Sequence, residues 1–333
     1  MLVAPAAARP SPALRHALVW GAWGMSLAAS VALATEPGPG PGKGAEHARR
    51  VPTEMVPVPA GPFVMGLSTA ELPRFLAECV AELGEAGAAF CTPATPLIAA
   101  LVTPMRRVVQ LPDYAIDRHE VTTLNYRACV AAGACDVRPL TSGDTRFIAD
   151  ALPVVNVSWD DADAYCRHRG KRLPTEAEWE KAARGTDART FPWGEGLRDG
   201  AANLGSVVPA EVSSGGQSGV ELTTDVSDGA RAMVEPGRYR WGQGPYGTFD
   251  QAGNVAEWVA DRYSERGYDG LPTTAPTGVA DGPLRVVRGG SYFEPALIAR
   301  SYFRVPARPR ERSITRGFRC ARDLPQVHSA ATP

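Results

Sequence analysis

The chain has 333 residues, of which 44% are hydrophobic and 21% charged, and this composition excludes an intrinsically disordered protein. Its 35 lysines and arginines are balanced by 36 aspartates and glutamates, so it has no basic surplus of the kind that binds nucleic acid. The length allows one large domain or two smaller ones, and the 34 glycines and 30 prolines favour loops over a bundle of helices.

Residues 1–34 have the pattern of a secretory signal peptide. Basic side chains precede an uncharged apolar run over 17–34, which ends in an A-x-A cleavage site at Ala32 and Ala34. An uncleaved membrane anchor is the alternative, because the run approaches the length that spans a bilayer. The Pro/Gly-rich residues 35–50 predict a linker. We therefore expect a periplasmic or secreted protein with no stable membrane insertion once the signal is cleaved.

Export would place the six cysteines in an oxidising compartment, where an even number favours disulfide bonds. The sequence has no CxxC pair and no zinc-type spacing. Six cysteines allow many pairings, and composition alone does not choose among them.

Strands and one helix are predicted in the segment that follows the linker. Residues 51–66 predict an edge strand and a turn. A capping box predicts a helix over 69–85, after which Cys91 is placed to return towards Cys79. A second strand is expected over 107–117.

Three further helices begin at side-chain caps. A threonine cap at 122–123 opens a helix that carries Cys129 and ends at Gly133, with Cys135 near enough to bridge locally. The other two helices begin at capping boxes formed by Ser158 with Asp161 and by Thr175 with Glu178. From residue 186 onward we expect loops and short strands.

Seven motifs stand in a fixed order over residues 55–323. They are VPAGPFVMG (58–66), DRHEVT (117–122), the long run 153–185, FPWG (191–194), GNVAEW (253–258), RVVRGGSY (285–292) and GFRC (317–320). Together they resemble the formylglycine-generating enzyme, or sulfatase-modifying factor, family.

The resemblance implies a single domain of the α+β class. The family has a C-type-lectin-like fold that is rich in loops, with a few short helices and short antiparallel strands. We accordingly expect the domain over 51–323 and a C-terminal tail over 324–333. The segment 67–105 is longer than this family leads us to expect, which indicates an inserted helical segment pinned by a disulfide.

The founding members of the family oxidise a cysteine of a sulfatase to formylglycine, using two cysteines that hold copper(I). Thiolates are the soft ligands that this ion prefers. These cysteines follow GGS[YW] within ten residues, where this sequence has Glu294 and, at or next to the second position, Ala299. No cysteine lies between Cys166 and Cys320, so we expect neither copper nor the cysteine-dependent oxidase activity. The few histidines have no ligand spacing, so no iron site is expected either.

The resemblance also implies two calcium sites. At the first, Asp250 and Glu257 would supply carboxylates, and Gly253 and Val255 backbone carbonyls. The looser second site would use the side chains of Asn203 and Asp228 and the carbonyls of Leu204 and Ala230. Calcium takes six to eight hard oxygen ligands in flexible geometry, which such loops provide. The alternative is that Glu257 is only a buried, hydrogen-bonded carboxylate.

Family members pair the cysteine of the AYC stretch with that of GFRC, which implies a Cys166–Cys320 disulfide. The pairs Cys129–Cys135 and Cys79–Cys91 then follow from the cysteines that are left. All six cysteines would be structural.

The functional expectation is an exported, calcium-binding accessory factor that binds a protein or peptide. The resemblance places its contact groove around 291–304, with Ser291, Tyr292, Glu294, Arg300 and Arg304. One alternative is an oxidoreductase or maturation enzyme that modifies a partner protein by formylglycine-type or other metal-dependent oxidation. Another is a lectin-like glycan binder.

Seven arginines cluster late in the chain, at positions 300, 304, 308, 310, 312, 316 and 319. They favour either structural arginine–carboxylate pairs or a basic rim for an acidic partner or polysaccharide.

Overall fold

The computed structural model describes residues 54–88, 91–93, 95, 98, 107–141, 144–210, 219–224 and 226–325. The predicted signal peptide and linker lie outside these residues, as do most of the tail and much of the inserted segment beyond its helix. Within the described part, no helix is both long and apolar enough to cross a membrane.

Short strands form four small sheets in the described part of the chain. They are β1 (Met55–Val58), β2 (Gly61–Met65), β3 (Arg107–Leu111), β4 (Tyr114–Asp117), β5 (Gly205–Ala210), β6 (Gly219–Thr224), β7 (Ala256–Arg262), β8 (Arg285–Arg288), β9 (Arg304–Ala307), β10 (Arg316–Phe318) and β11 (Ala321–Asp323). Two sheets have the strand orders β1-β4-β11 and β10-β7-β8-β9, while β2 pairs with β3 and β5 with β6. These pairings are antiparallel except that of β7 with β10.

The α-helices of the described residues begin at the predicted caps or near them. They are α1 (Leu72–Gly87), α2 (Thr123–Ala131), α3 (Trp159–His168) and α4 (Glu176–Arg184). The side chain of Thr122 caps α2, and complete capping boxes form at Ser158 with Asp161 and at Thr175 with Glu178. Few helices and short, mostly antiparallel strands confirm the predicted α+β class.

Helix α1 differs from its predicted bounds at both ends. Ser68 and Glu71 do exchange the two capping hydrogen bonds, at 2.8 and 3.1 Å, but the residues between them form a turn and α-helical geometry begins at Leu72. Gly84 interrupts the helix with a φ of 66°, a left-handed conformation that glycine adopts without steric cost.

The two predicted N-terminal strands are each divided in two. The segment 51–66 bends between β1 and β2 at Pro59 and Ala60, and 107–117 bends between β3 and β4 at Pro112 and Asp113. Proline has no N–H to donate to a ladder, so a continuous strand is disfavoured at both points.

All three expected disulfides are present, Cys79–Cys91, Cys129–Cys135 and Cys166–Cys320, with Cα–Cα distances of 5.8, 5.4 and 5.6 Å. Cys166 of α3 and Cys320, between β10 and β11, lie in the main core with Tyr165, Trp258 and Phe318. This bond joins α3 to the segment between β10 and β11, and β10 pairs with β7. The loops at the start of β7 and after β8 are thereby held on a cross-linked core.

Candidate functional site

The loop before β7 follows an unusual left-handed path. Asp250, Gly253 and Asn254 have φ values of 58°, 82° and 59°. A Cβ atom on Gly253 would lie 2.2 Å from the carbonyl oxygen of Asn203, so only glycine fits there. The amide of Asn254 donates to that same oxygen at 2.8 Å. The two segments in which calcium ligands were predicted therefore touch each other.

Glu257, at the start of β7, forms a buried ion pair with Arg319. Its Oε1 accepts from Nη2 at 2.6 Å, and its Oε2 accepts from Nε at 2.7 Å and from the indole N–H of Trp179 at 2.8 Å. Glu257 is thus a buried, hydrogen-bonded carboxylate, as the alternative interpretation had it. An ionised carboxylate has about four acceptor positions, so three such contacts leave one for a cation.

Two more carboxylates lie against this pair. Glu120 is buried and accepts from the side-chain amide of Asn254 at 2.8 Å and from the backbone amide of Val255 at 3.1 Å. Burial, and then the charges of Asp250 and Glu257, raise the pKa of Glu120 well above its usual value. Three buried carboxylates therefore share a single guanidinium.

The donor set of this loop fits a calcium ion. Even with Glu120 protonated, the carboxylates of Asp250 and Glu257 outnumber the one guanidinium beside them, and the donors of the loop are the hard oxygens that calcium binds. Within the described residues, no three His, Cys, Asp or Glu side chains converge as a ligand set. An ion here would therefore draw on the backbone carbonyls of Gly253 and Val255 beside Asp250 and Glu257, as the resemblance implies.

The four residues of the second predicted calcium site also lie together. The Asp228 carboxylate accepts from the backbone amides of Leu204, at 3.0 Å, and Ala230, at 2.9 Å. The side-chain amide of Asn203 donates to Asn254 Oδ1 at 3.1 Å, which connects this site to the first.

The turn after β8 places Ala299 directly against the backbone. A Cβ atom on Gly290 would lie 3.1 Å from the Ala299 nitrogen, and Gly290 has a φ of 65°. Ala299 is buried in an apolar cluster with Phe191. Ala299, which the resemblance places at or next to the family's second cysteine, is therefore a packed methyl group.

The resemblance places Glu294 at the position of the family's first cysteine. Its Oε2 is buried and has no hydrogen-bond partner among the described residues. Burial raises the pKa of Glu294, while a hydrogen bond from Ser291 and the charge of Arg316 oppose that rise. All six cysteines of the chain form disulfides, so no thiol lies beside this carboxylate. The neighbouring Tyr292 donates its amide to Asn254, which ties this turn to the acidic loop.

Helix α1 covers the segment that follows Glu294. Glu82 Oε1 accepts the backbone amide of Leu297 at 2.8 Å, and Glu78 pairs with Arg300 at 3.0 Å. Apolar residues of α1 pack in one cluster with the segment 297–303. The sequence predicted this helix but not its position over the expected groove.

The late arginines mostly form structural pairs. Arg304 donates to both oxygens of Glu176, at 2.9 and 2.7 Å, and Arg312 pairs with Asp161 at 2.7 Å. Arg300 and Arg304, which were predicted to face a groove, are each 3% exposed. Their charges are thus compensated inside the domain. Any contact with a partner would be made by exposed residues near them.

No role was predicted for Glu120 or Asn254, and Arg319 was predicted only as one of the late arginines, with no partner named. Each lies inside a motif that carried the family resemblance, DRHEVT, GNVAEW or GFRC. That placement was the available signal, but nothing local indicates that these three side chains meet.

Comparison with known proteins identifies the domain. The family model described as "Sulfatase-modifying factor enzyme 1-like domain" matches residues 42–324. The chain belongs to this family. The resemblance carried by the seven motifs is therefore confirmed over most of the sequence.

Related proteins match the sulfatase-modifying factor domain over about 180 residues. The formylglycine-generating enzyme of Streptomyces coelicolor is 41% identical over 187 residues, which cover 54% of this chain and 55% of that protein. The protein named inactive C-alpha-formylglycine-generating enzyme 2 of Bos taurus is 37% identical over 178 residues, covering 51% and 50%. The chain thus spans about half the length of the curated relatives it matches.

Solved structures extend the likeness to most of the chain. The structure of PvdO from Pseudomonas aeruginosa aligns with a TM-score of 0.59 at 27% identity, covering 81% of this chain and 94% of that one. Treponema denticola variable protein 1 aligns with a TM-score of 0.50 at 22% identity, covering 81% and 95%, which shows the fold alone. These matches confirm the predicted C-type-lectin-like sulfatase-modifying factor fold.

Proposed function

We propose that this sulfatase-modifying factor domain is a non-catalytic accessory factor that binds a protein or peptide partner. The observation that carries the proposal is the composition of the turn after β8. By the resemblance, Glu294 and a residue at or next to Ala299 replace the copper cysteines; no cysteine lies between Cys166 and Cys320, and every cysteine of the chain is held in a disulfide. Copper(I) requires soft ligands, and a carboxylate and a methyl group do not provide them.

The relatives are compatible with this proposal. Proteins named as formylglycine-generating enzymes and proteins named as inactive forms match at comparable identities, 41% and 37% for the two described above. Overall likeness to the family therefore does not imply activity, and the residues at the two ligand positions become the deciding feature. They favour the non-catalytic interpretation.

A protein or peptide partner follows from the family and from the surface. Members that modify sulfatases act on a polypeptide, and the corresponding turn of this chain carries an exposed aromatic residue, Phe293. Exposed aromatic side chains are enriched at protein contacts. We assign the contact surface to the exposed residues beside Glu294.

Calcium binding and export complete the proposal. We place one calcium ion at the loop 250–257 and a second beside Asn203 and Asp228. These ions would compensate buried negative charge and cross-link loops that few strand pairings hold together. Export is supported by the signal-peptide pattern and by the three disulfides, which persist in oxidising compartments.

Metal analysis of the purified protein tests the proposal. We expect calcium to remain after dialysis against buffer, with copper and iron at background levels. A sample stripped with EDTA and refilled with calcium serves as the control for specific uptake. Copper or iron at one ion per chain would contradict the proposal and favour the oxidoreductase alternative.

A further inference from the structure

A small cavity lies beside the turn that follows β8. It has a volume of about 20 Å³, and its lining includes Gly290, Glu294, Ile298, Phe303 and Arg316. A water-sized group needs roughly 10–15 Å³ by this measure, so the cavity accepts one or two such groups.

Three buried polar atoms on the lining residues have no hydrogen-bond partner among the described residues: Glu294 Oε2, Arg316 Nη1 and Arg288 Nε. Other atoms of Glu294 and Arg316 are engaged. Ser291 donates to the Glu294 carboxylate, Arg316 Nη2 donates to Glu311 at 3.1 Å, and the guanidinium carbon lies 4.7 Å from the ring centroid of Trp258. Buried polar atoms without partners are rare in native proteins and cost free energy.

One unused atom is an acceptor and the other two are donors, which restricts what the cavity can bind. A hydroxyl group donates one hydrogen bond and accepts others, so it can engage Glu294 together with Arg316. A ligand carboxylate would be repelled by Glu294 and a ligand ammonium by Arg316. The volume admits a hydroxyl with its methylene group but excludes a ring.

Two exposed apolar residues lie close in sequence to the lining residues. Phe293 is 39% exposed and precedes Glu294, and Ile314 is 41% exposed and lies two residues before Arg316. Exposed apolar side chains near the lining suit contact with the neighbouring residues of an extended peptide.

We propose that this cavity is a subsite for the side-chain hydroxyl of a serine in an extended peptide, which donates to Glu294 and accepts from Arg316. A water molecule would take the same place in the free protein, and a hydroxyl displaces it without losing its hydrogen bonds. The inference rests on the proposed function as a peptide-binding factor, and it names the residue that the peptide presents.

Selection of random nonapeptides displayed on phage against the immobilised full chain tests the subsite. We expect enriched peptides to share a serine at one position. A synthetic peptide from that pool should lose about tenfold in affinity when the serine is replaced by alanine, the loss expected for a hydrogen bond to a charged group.

Variants then assign that preference to the cavity. Glu294→Gln and Arg316→Lys should each reduce the serine-over-alanine ratio towards one. Asp269→Asn should leave it unchanged, because Asp269 pairs with the exposed Arg266 and does not line the cavity. Near-UV circular dichroism confirms that each variant is folded, and two independent cavity variants keep the test decisive if one is not.

The outcomes separate the subsite from the proposed function. Enriched peptides with no serine preference, or a preference that survives both cavity variants, overturn the subsite and leave peptide binding intact. Failure to enrich any peptide overturns the proposed peptide binding together with the subsite. Retention of free glycans in place of peptides also contradicts both.

Discussion

Calcium should stabilise this domain through Asp250, and Glu257 is the wrong residue with which to test that claim. Replacing Glu257 with glutamine leaves the buried Arg319 without its carboxylate, and breaking a buried pair costs about 3–5 kcal/mol with or without calcium. Asp250 accepts one backbone amide, from Gly237 at 2.6 Å, makes no direct hydrogen bond to Arg319 among the described contacts, and has the partly exposed His119 ring 4.0 Å away. Asp250→Asn is therefore the discriminating variant.

The expected size of the effect follows from ligand linkage. Calcium at a hundred times its dissociation constant should stabilise the wild-type protein by about 2.7 kcal/mol. The melting temperature of a domain of this size rises by about 2–4 °C for each kcal/mol of added stability, so calcium should raise it by about 5–10 °C. In Asp250→Asn most of this shift should disappear. The melting temperature in EDTA should change little, because the substitution breaks no direct pair with a buried cation and the remaining side-chain oxygen can still accept the Gly237 amide.

Thermal melts followed by circular dichroism, in EDTA and across a calcium titration, measure both quantities. Asp228→Asn is the matched control, since it lies at the second site and should remove only the part of the shift due to that site. A wild-type protein that melts at the same temperature in EDTA and in calcium would refute the reasoning. So would an Asp250→Asn variant that keeps the full calcium shift.

Three further predictions concern stability. Converting Cys166 and Cys320 to alanine opens a loop of 154 residues and should lower the free energy of unfolding by about 5 kcal/mol, through chain entropy. Removing the Cys129–Cys135 disulfide, which closes a loop of six residues, should lower it by about 2 kcal/mol. Urea unfolding measures both losses. Gly253→Ala should cost at least about 2 kcal/mol in the same assay, because its Cβ would lie 2.2 Å from a backbone oxygen. Burial and the charge of Glu176 raise the pKa of Asp261 from 3.8 to about 7. The folded state thus binds the proton of Asp261 more tightly than the unfolded state does. Its contribution to the free energy of unfolding is complete below pH 3.8 and is lost as the pH rises through 7. Asp261→Asn should flatten the fall in stability between pH 4 and 7, and a fall of unchanged slope would contradict this origin.

Local signals in the sequence were sufficient for the helices. Ser158 with Asp161 and Thr175 with Glu178 are three residues apart, and a capping box depends on nothing more distant. The start of α1 was placed three residues early, because a hydroxyl–carboxylate pair fixes the cap contacts but not the first residue with helical geometry.

The site was predictable only where motifs carried it. The loop 250–257 was identified from its motif, yet the pairing of Glu257 with Arg319 spans 62 residues. The contact of Glu82 with Leu297 spans 215 residues. No pattern in a single sequence reports such contacts, since they depend on how separate elements pack in the folded domain. The unpaired side-chain atoms of Glu294 and Arg316 could not be predicted from the sequence for the same reason.

The central claim is that this domain keeps the family fold without its copper chemistry, and oxygen consumption tests it most directly. The purified protein, preincubated with copper(I), is supplied with a cysteine-containing sulfatase peptide and followed with an oxygen electrode and mass spectrometry of the peptide. We expect oxygen uptake equal to that of a heat-denatured control and a peptide of unchanged mass. Conversion of the peptide cysteine to formylglycine above that control would contradict the account of Glu294 and Ala299.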